Sequence, residues 1–201
     1  MPTGIVLTAG RSTRFGDIDK AFATFQDRSL LGHVLDGVSP VVDRFVVSCR
    51  RDQIENVRSI LEPHPTAGEI SVDERLIGPL GGIADGLSIC ESEWVIVVGC
   101  DFPFVDGRLF DGLKPHGSTD AVVPRTDEDI QPLCARYRTR PTSLAVQSLL
   151  EAGTYRVKTV PETLTTTFVD VSMLPFDARR RLQNINTKSD LERLEPPNRF
   201  S

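Results

Sequence analysis

The chain has 201 residues, of which 39% are hydrophobic and 25% charged, ordinary values for a globular protein large enough to bury a core. A formal net charge of −5 speaks against a broad nucleic-acid-binding face, and no apolar run approaches the roughly 20 residues of a membrane span. The opening "MPTGIVLTAG" lacks the basic flank and small-residue cleavage site of a signal peptide.

In chain order, "GIVLTA" (4–9) reads as a short buried strand, and "SLLGHVLDGV" (29–38) has helical apolar spacing. "DRFVVSC" (43–49) is a second strand, followed by a helix over "RDQIENVRSIL". "EISVDE" (69–74) is a weaker third strand. "GPLGGIADGLSIC" (78–90) opens a helix with Pro79 in its first turn, where proline is tolerated. "WVIVVGC" (94–100) has the continuous apolar run of a strand buried on both faces of a parallel sheet. "DAVVPR" (120–125) and "PLCARYR" (132–138) are further strands. "RPTSLAVQSLLEAG" (140–153) is a helix stopped at Gly153, "TTTFVDV" (165–171) a late strand and "KSDLERL" (188–194) a closing helix. Strands alternating with helices predict an α/β fold. The expected form is a Rossmann-like three-layer sandwich with a mostly parallel sheet and one antiparallel strand, within the less regular 130–185 segment. One domain is expected over residues 1–195, with a frayed tail at 196–201.

The four cysteines, Cys49, Cys90, Cys100 and Cys134, sit in or beside apolar runs and form no CxxC pair. This predicts buried free thiols in a reducing compartment, hence the cytoplasm, rather than a zinc site. His33, His64 and His116 are scattered and suggest no metal or acid–base cluster.

The stretch "LTAGRSTRFGDIDKA" (7–21) turns polar and cationic directly after the first strand. Ligands of open doubly wound sheets bind beyond the carboxyl ends of strands, where the strand order reverses. If the first strand and "WVIVVGC" are neighbours there, the loop from Thr8 meets Asp101. Backbone N–H groups, the forks of Arg11 and Arg14 and the point charge of Lys20 suit phosphate oxygens. Asp101 is a hard oxygen ligand suited to Mg²⁺ held together with phosphates. Each part has a plainer reading: Gly10 and Gly16 as turn glycines, the arginines as solvated charges, "CDFP" as a strand end. The loop is neither a Walker A motif nor G-x-G-x-x-G.

The pattern as a whole is more specific. "LTAGRSTRFGDIDKA" resembles the N-terminal signature of the molybdenum cofactor guanylyltransferase family, and the resemblance continues in order through "FQDRSLLGHVL", "GPLGGIADGL", "VVGCDFPFV", "QPLCARYR" and "NINTKSDL". It implies transfer of GMP from GTP to the phosphate of Mo-molybdopterin, with Mg²⁺ as cofactor and transient contact with molybdoenzymes or molybdenum-insertion proteins. By the same resemblance Leu7, Thr8, Ala9 and Gly10 contact the nucleotide. Arg11, Arg14 and Lys20 neutralise its phosphates, Asp101 holds the metal and Asp73, with Glu74 as the alternative, meets the nucleoside. Gln131, Asn184 and Asn186 face the acceptor, while Thr187 or Asn186 caps the last helix. Ala9 stands where the family usually has glycine, Phe15 where it has methionine, and Ser48 where many members have an asparagine near the base. Two alternatives stay open: a nucleotidyltransferase using CTP or cobinamide phosphate, and a non-catalytic nucleotide sensor.

Overall fold

Val6 faces one side of the first strand and Ile5 and Leu7 the other, yet all three are buried between layers of helices. That double burial explains why the strand reads as an unbroken apolar run. The computed structural model describes residues 1–10, 19–127 and 129–194. Arg11, Arg14 and Phe15, and the expected tail at 196–201, lie outside them.

The elements are β1 (Thr3–Leu7), a small hairpin of β2 (Thr24–Phe25) and β3 (Arg28–Ser29), α1 (Leu30–Val38), β4 (Arg44–Cys49), α2 (Ile54–Leu61), β5 (Gly68–Val72), α3 (Pro79–Ser88) and β6 (Trp94–Gly99). The remainder comprises α4 (Gly107–Gly112), β7 (Ala121–Arg125), β8 (Cys134–Arg138), α5 (Thr139–Glu151), α6 (Thr159–Glu162), β9 (Thr166–Asp170), α7 (Ala178–Arg181) and α8 (Lys188–Leu194). The main sheet has the order β5-β4-β1-β6-β8-β7-β9. Only β8 runs against the others, pairing antiparallel with both β6 and β7. This is the expected mostly parallel sheet with one antiparallel strand. Leu31 and Leu35 of α1, Val57 of α2 and Phe110 of α4 cover one face; Leu80 and Ile83 of α3 and Val146 of α5 cover the other. Each such side chain contributes about 1.5–3 kcal/mol on burial.

The first strand ends at Leu7 rather than Ala9, because the Thr8 N–H and hydroxyl both turn to the Ser48 carbonyl, at 2.9 Å each. The β2–β3 hairpin is an addition to the sequence reading. Its two turn residues, Gln26 and Asp27, have φ of 45° and 68°, the type I′ geometry that usually shows itself as Asn-Gly. Phe25 anchors the hairpin in a third apolar cluster with Leu30 and Ile185, where it meets Phe104 edge-on at 5.6 Å. The loop before α3 passes Gly78 at φ 88°, a conformation glycine adopts without strain, and Pro79 then opens the helix as expected. All four cysteines are free; Cys49, Cys100 and Cys134 are buried as expected, whereas Cys90 is only half-buried. No helix among the described residues is long and apolar enough to cross a membrane.

Candidate nucleotide site

Parallel register sets Leu7 of β1 opposite Ser48 of β4 on one side and Gly99 of β6 on the other. The carboxyl ends of these strands therefore lie together. The chain goes from β1 to β4 on one side and reaches β6 on the other, so the β1–β6 boundary is the point where strand order reverses. A cavity of about 140 Å³ opens there, lined by Leu7 to Gly10, Lys20, Asp73 and Asp101 among others. It is smaller than the roughly 300–1,000 Å³ of pockets that enclose a whole ligand.

Asp101 leaves the end of β6 and Lys20 rides on a single 3-10 turn, which Asp19 caps by accepting the Ala21 N–H. The Lys20 ammonium stands 3.6 Å from Asp101 and donates to the Asn186 side-chain oxygen at 2.9 Å. Burial pushes the Asp101 carboxyl above its ordinary 3.8, and the Lys20 charge and hydrogen bonds oppose that rise. Burial also lifts the neighbouring Cys100 thiol to about 12, so it stays protonated and is no nucleophile at neutral pH. None of the three histidines lines the cavity.

On the opposite wall, Asp73 is 2% exposed, and its carboxylate accepts the Leu76 N–H at 3.0 Å. Glu74 points away to a surface pair with Arg51, so Asp73 is the carboxylate that faces the site. Ser48 is fully buried and lines the cavity, and its hydroxyl has no hydrogen-bond partner. Gly82 of α3 packs against it so closely that a Cβ there would lie 2.7 Å from the Ser48 oxygen.

The "NINT" segment returns to the same place. Ile185 N–H donates to the Asp101 carbonyl at 2.8 Å, which brings Asn186 to Lys20. The cap of α8 belongs to Thr187, whose hydroxyl accepts from Asp190 N–H at 3.1 Å while Asp190 accepts from Thr187 N–H at 2.9 Å. Asn184 is exposed. Of the "QPL" segment it is Leu133 that lines the cavity, while the Gln131 backbone braces β7 through Pro124 at 2.9 Å.

Residues 4–161 match the family model of the MobA-like NTP transferase domain. The chain belongs to this family. Its MobA-like character extends past that match. A probable molybdenum cofactor guanylyltransferase of Natronomonas pharaonis is 36% identical over 95% of each chain. A second, from Methanosarcina acetivorans, is 35% identical over 94% of this chain and 88% of its own length. The crystal structure of molybdopterin-guanine dinucleotide biosynthesis protein A from Archaeoglobus fulgidus superposes with a TM-score of 0.76 at 25% identity, covering 95% of both chains. The protein is a nucleotidyltransferase of the MobA-like type. Sequence reading missed Asp19, Arg50 and Gln53, which join the site from below. Asp19 lies within "LTAGRSTRFGDIDKA", but nothing in the sequence paired it with the residues that lead into α2.

Proposed function

We propose that this MobA-like protein transfers GMP from GTP to the phosphate of Mo-molybdopterin and releases pyrophosphate. The observation that carries the reading is Lys20 beside Asp101 at the strand-order reversal, in a cavity also walled by Thr8 to Gly10 and Asp73. The molybdenum cofactor guanylyltransferases at 35–36% identity over nearly the whole chain support the choice of substrates.

In this reaction an oxygen of the acceptor phosphate forms a bond to the GTP α-phosphorus, and the bond from that phosphorus to the bridging oxygen breaks. The pyrophosphate takes the electron pair. A phosphate monoester is already ionised near neutral pH, so no histidine base is required, and the task is positioning and charge neutralisation. Lys20, with Arg11 and Arg14 of the same N-terminal signature, neutralises the phosphates. Leu7 to Gly10 present backbone groups to the nucleotide, and Asp73 meets the nucleoside. Asn186 holds the Lys20 ammonium toward the transfer point, and with Asn184 and Gln131 belongs to the acceptor side.

A divalent cation fits Asp101 in one particular sense. Among the described residues no group of three or more acidic, histidine or cysteine side chains converges on a metal site. A lone carboxylate suits Mg²⁺ that arrives with a triphosphate, since Mg²⁺ is commonly held by one or two carboxylates plus phosphate oxygens. Bound there, the ion would neutralise charge on the phosphates. We place the reaction in the cytoplasm, a reducing compartment in which the four free thiols persist. Contact with molybdoenzymes or insertion proteins would pass the product on. The reading is tested by pyrophosphate release from GTP, CTP, ATP and UTP, with Mo-molybdopterin or cobinamide phosphate as acceptor. Release with CTP or with cobinamide phosphate would assign another nucleotidyl transfer. Tight GTP binding without release would make the protein a sensor.

A further inference from the structure

Beneath the cavity a buried polar network ties together two stretches of chain that are distant in sequence. Gln53, which leads into α2, is 1% exposed, and both ends of its amide are engaged. Its oxygen accepts from Arg50 N–H at 2.8 Å and lies 3.3 Å from the Thr8 hydroxyl, whose proton goes to the closer Ser48 carbonyl. Its nitrogen donates to the Thr8 carbonyl at 3.1 Å and to Asp19 at 2.7 Å. Arg50 donates to the same Asp19 oxygen at 2.6 Å and reaches the carbonyls of Ala9 and Gly10 at 3.4 and 3.5 Å. The other Asp19 oxygen caps the turn that carries Lys20.

We propose that Gln53 and Arg50 are positioning residues for nucleotidyl transfer. They clamp the Thr8–Gly10 segment and the Asp19–Lys20 segment to the end of β4. They thereby fix the distance between the backbone groups of the first and the ammonium of the second. The inference rests on the proposed reading that both segments bind the triphosphate.

Arg50 lies close enough to the cavity to raise the alternative that it binds phosphate itself. Its bonding argues otherwise. One guanidinium nitrogen is held by Asp19 and Asp52, and another faces two carbonyl oxygens. The fork is committed to the protein. An apolar side chain would fill the Gln53 site without the desolvation that a buried amide incurs. What the amide adds is direction: a fully satisfied polar network selects one geometry.

The test compares GTP and GMP affinity by calorimetry for wild type, Gln53→Glu and the double variant Gln53→Glu with Asp19→Asn. Gln53→Glu keeps the shape but sets a carboxylate against Asp19 and the Thr8 carbonyl. It should weaken GTP binding about tenfold or more, the scale of one charge-assisted hydrogen bond, and GMP binding much less, because Lys20 serves the outer phosphates. Asp19→Asn in that background removes the like-charge contact, but its amide nitrogen then faces the Arg50 donor, so it should recover only part of the loss. If Gln53→Glu does not fold, Arg50→Lys, which keeps the charge but not the fork, should show the same GTP-selective loss. A folded variant with wild-type GTP affinity, or with equal losses for GTP and GMP, would overturn the proposal. Wild type failing to bind GTP would instead overturn the nucleotide reading on which it rests.

Discussion

The Lys20 ammonium and the Asp101 carboxylate meet at 3.6 Å with side-chain exposures of 11% and 25%, one carried by a 3-10 turn and the other by the end of the central β6. Neither charge is free in bulk water, and each holds the other at the point where the strand order reverses. In the proposed reaction this pair must open, Lys20 turning to phosphate oxygens.

The first prediction concerns Asp101. Asp101→Asn keeps the shape and removes the charge. Burial raises the carboxyl above 3.8 in the folded state. The sign follows: its contribution favours the fold below the unfolded pKa and is lost as pH rises through the folded one. At neutral pH the substitution should therefore leave the melting midpoint unchanged or raised. Turnover should fall by about 10²–10³, the scale of a lost electrostatic contact at the reacting phosphate. Near wild-type turnover at saturating Mg²⁺ would remove Asp101 from the machinery.

Lys20 gives the second. Lys20→Ala should weaken GTP binding more than GMP binding, because its partner is an outer phosphate. Arg14→Lys should also lower GTP affinity, since a bidentate fork becomes a point charge. Titrations with both nucleotides check this, and an equal loss for the two would point to local misfolding instead.

The central strands were legible from sequence because they are buried on both faces: "WVIVVGC" and "GIVL" are apolar without interruption, whereas the edge strands β5 and β9 are largely exposed. The adjacency of β1 and β6 entered the sequence reading only as a condition, and the parallel pairing of the two strands meets it. The hairpin at Thr24–Ser29 was not legible, since its turn uses Gln26 and Asp27 in place of a glycine. The helices α4, α6 and α7 have six, four and four residues, too few to show a period. Motif comparison picked out Lys20, Asp73 and Asp101, which line the cavity. It did not reveal that Asn186 bonds Lys20 or that Gln53 spans Thr8 and Asp19, because those contacts cross long stretches of chain and carry no periodic signal.

Ser48 supplies the third prediction. Its buried hydroxyl faces the cavity without a partner. Ser48→Ala should leave the free protein as stable or slightly more so, because an orphan polar group is removed. If the hydroxyl meets the base, GTP preference over ATP should fall by roughly 1–3 kcal/mol. Unchanged preference ratios would assign base selection to backbone groups.

The fourth separates Asn186 from Asn184. Asn186→Ala frees the Lys20 ammonium and should lower GTP affinity several-fold. Asn184→Ala, at an exposed position, should leave GTP affinity intact and impair acceptor transfer. Normal transfer in a stable Asn184→Ala variant would move the acceptor site elsewhere, most directly toward the "QPL" segment.

A fifth concerns pH. Asp106 caps α4 through Leu109 N–H at 3.1 Å and holds Arg181 at 2.7 Å. Burial raises its carboxyl, but the Arg181 and backbone hydrogen bonds outweigh that and leave it below 3.8. A lowered folded pKa means stability that is present at neutral pH and lost as pH falls through the folded value. Asp106→Asn should therefore be less stable than wild type at pH 7, with the difference closing below about pH 3.8. Denaturation midpoints for both proteins across that range decide it, and a gap independent of pH would contradict the assignment.

The most direct test of the central claim is pyrophosphate release by the wild-type protein, measured with each of the four nucleoside triphosphates, with and without Mo-molybdopterin. Release that requires both GTP and Mo-molybdopterin, and that disappears in Asp101→Asn, is the predicted result. Release with another nucleotide in preference to GTP, or no acceptor-dependent release from any nucleotide, would contradict it.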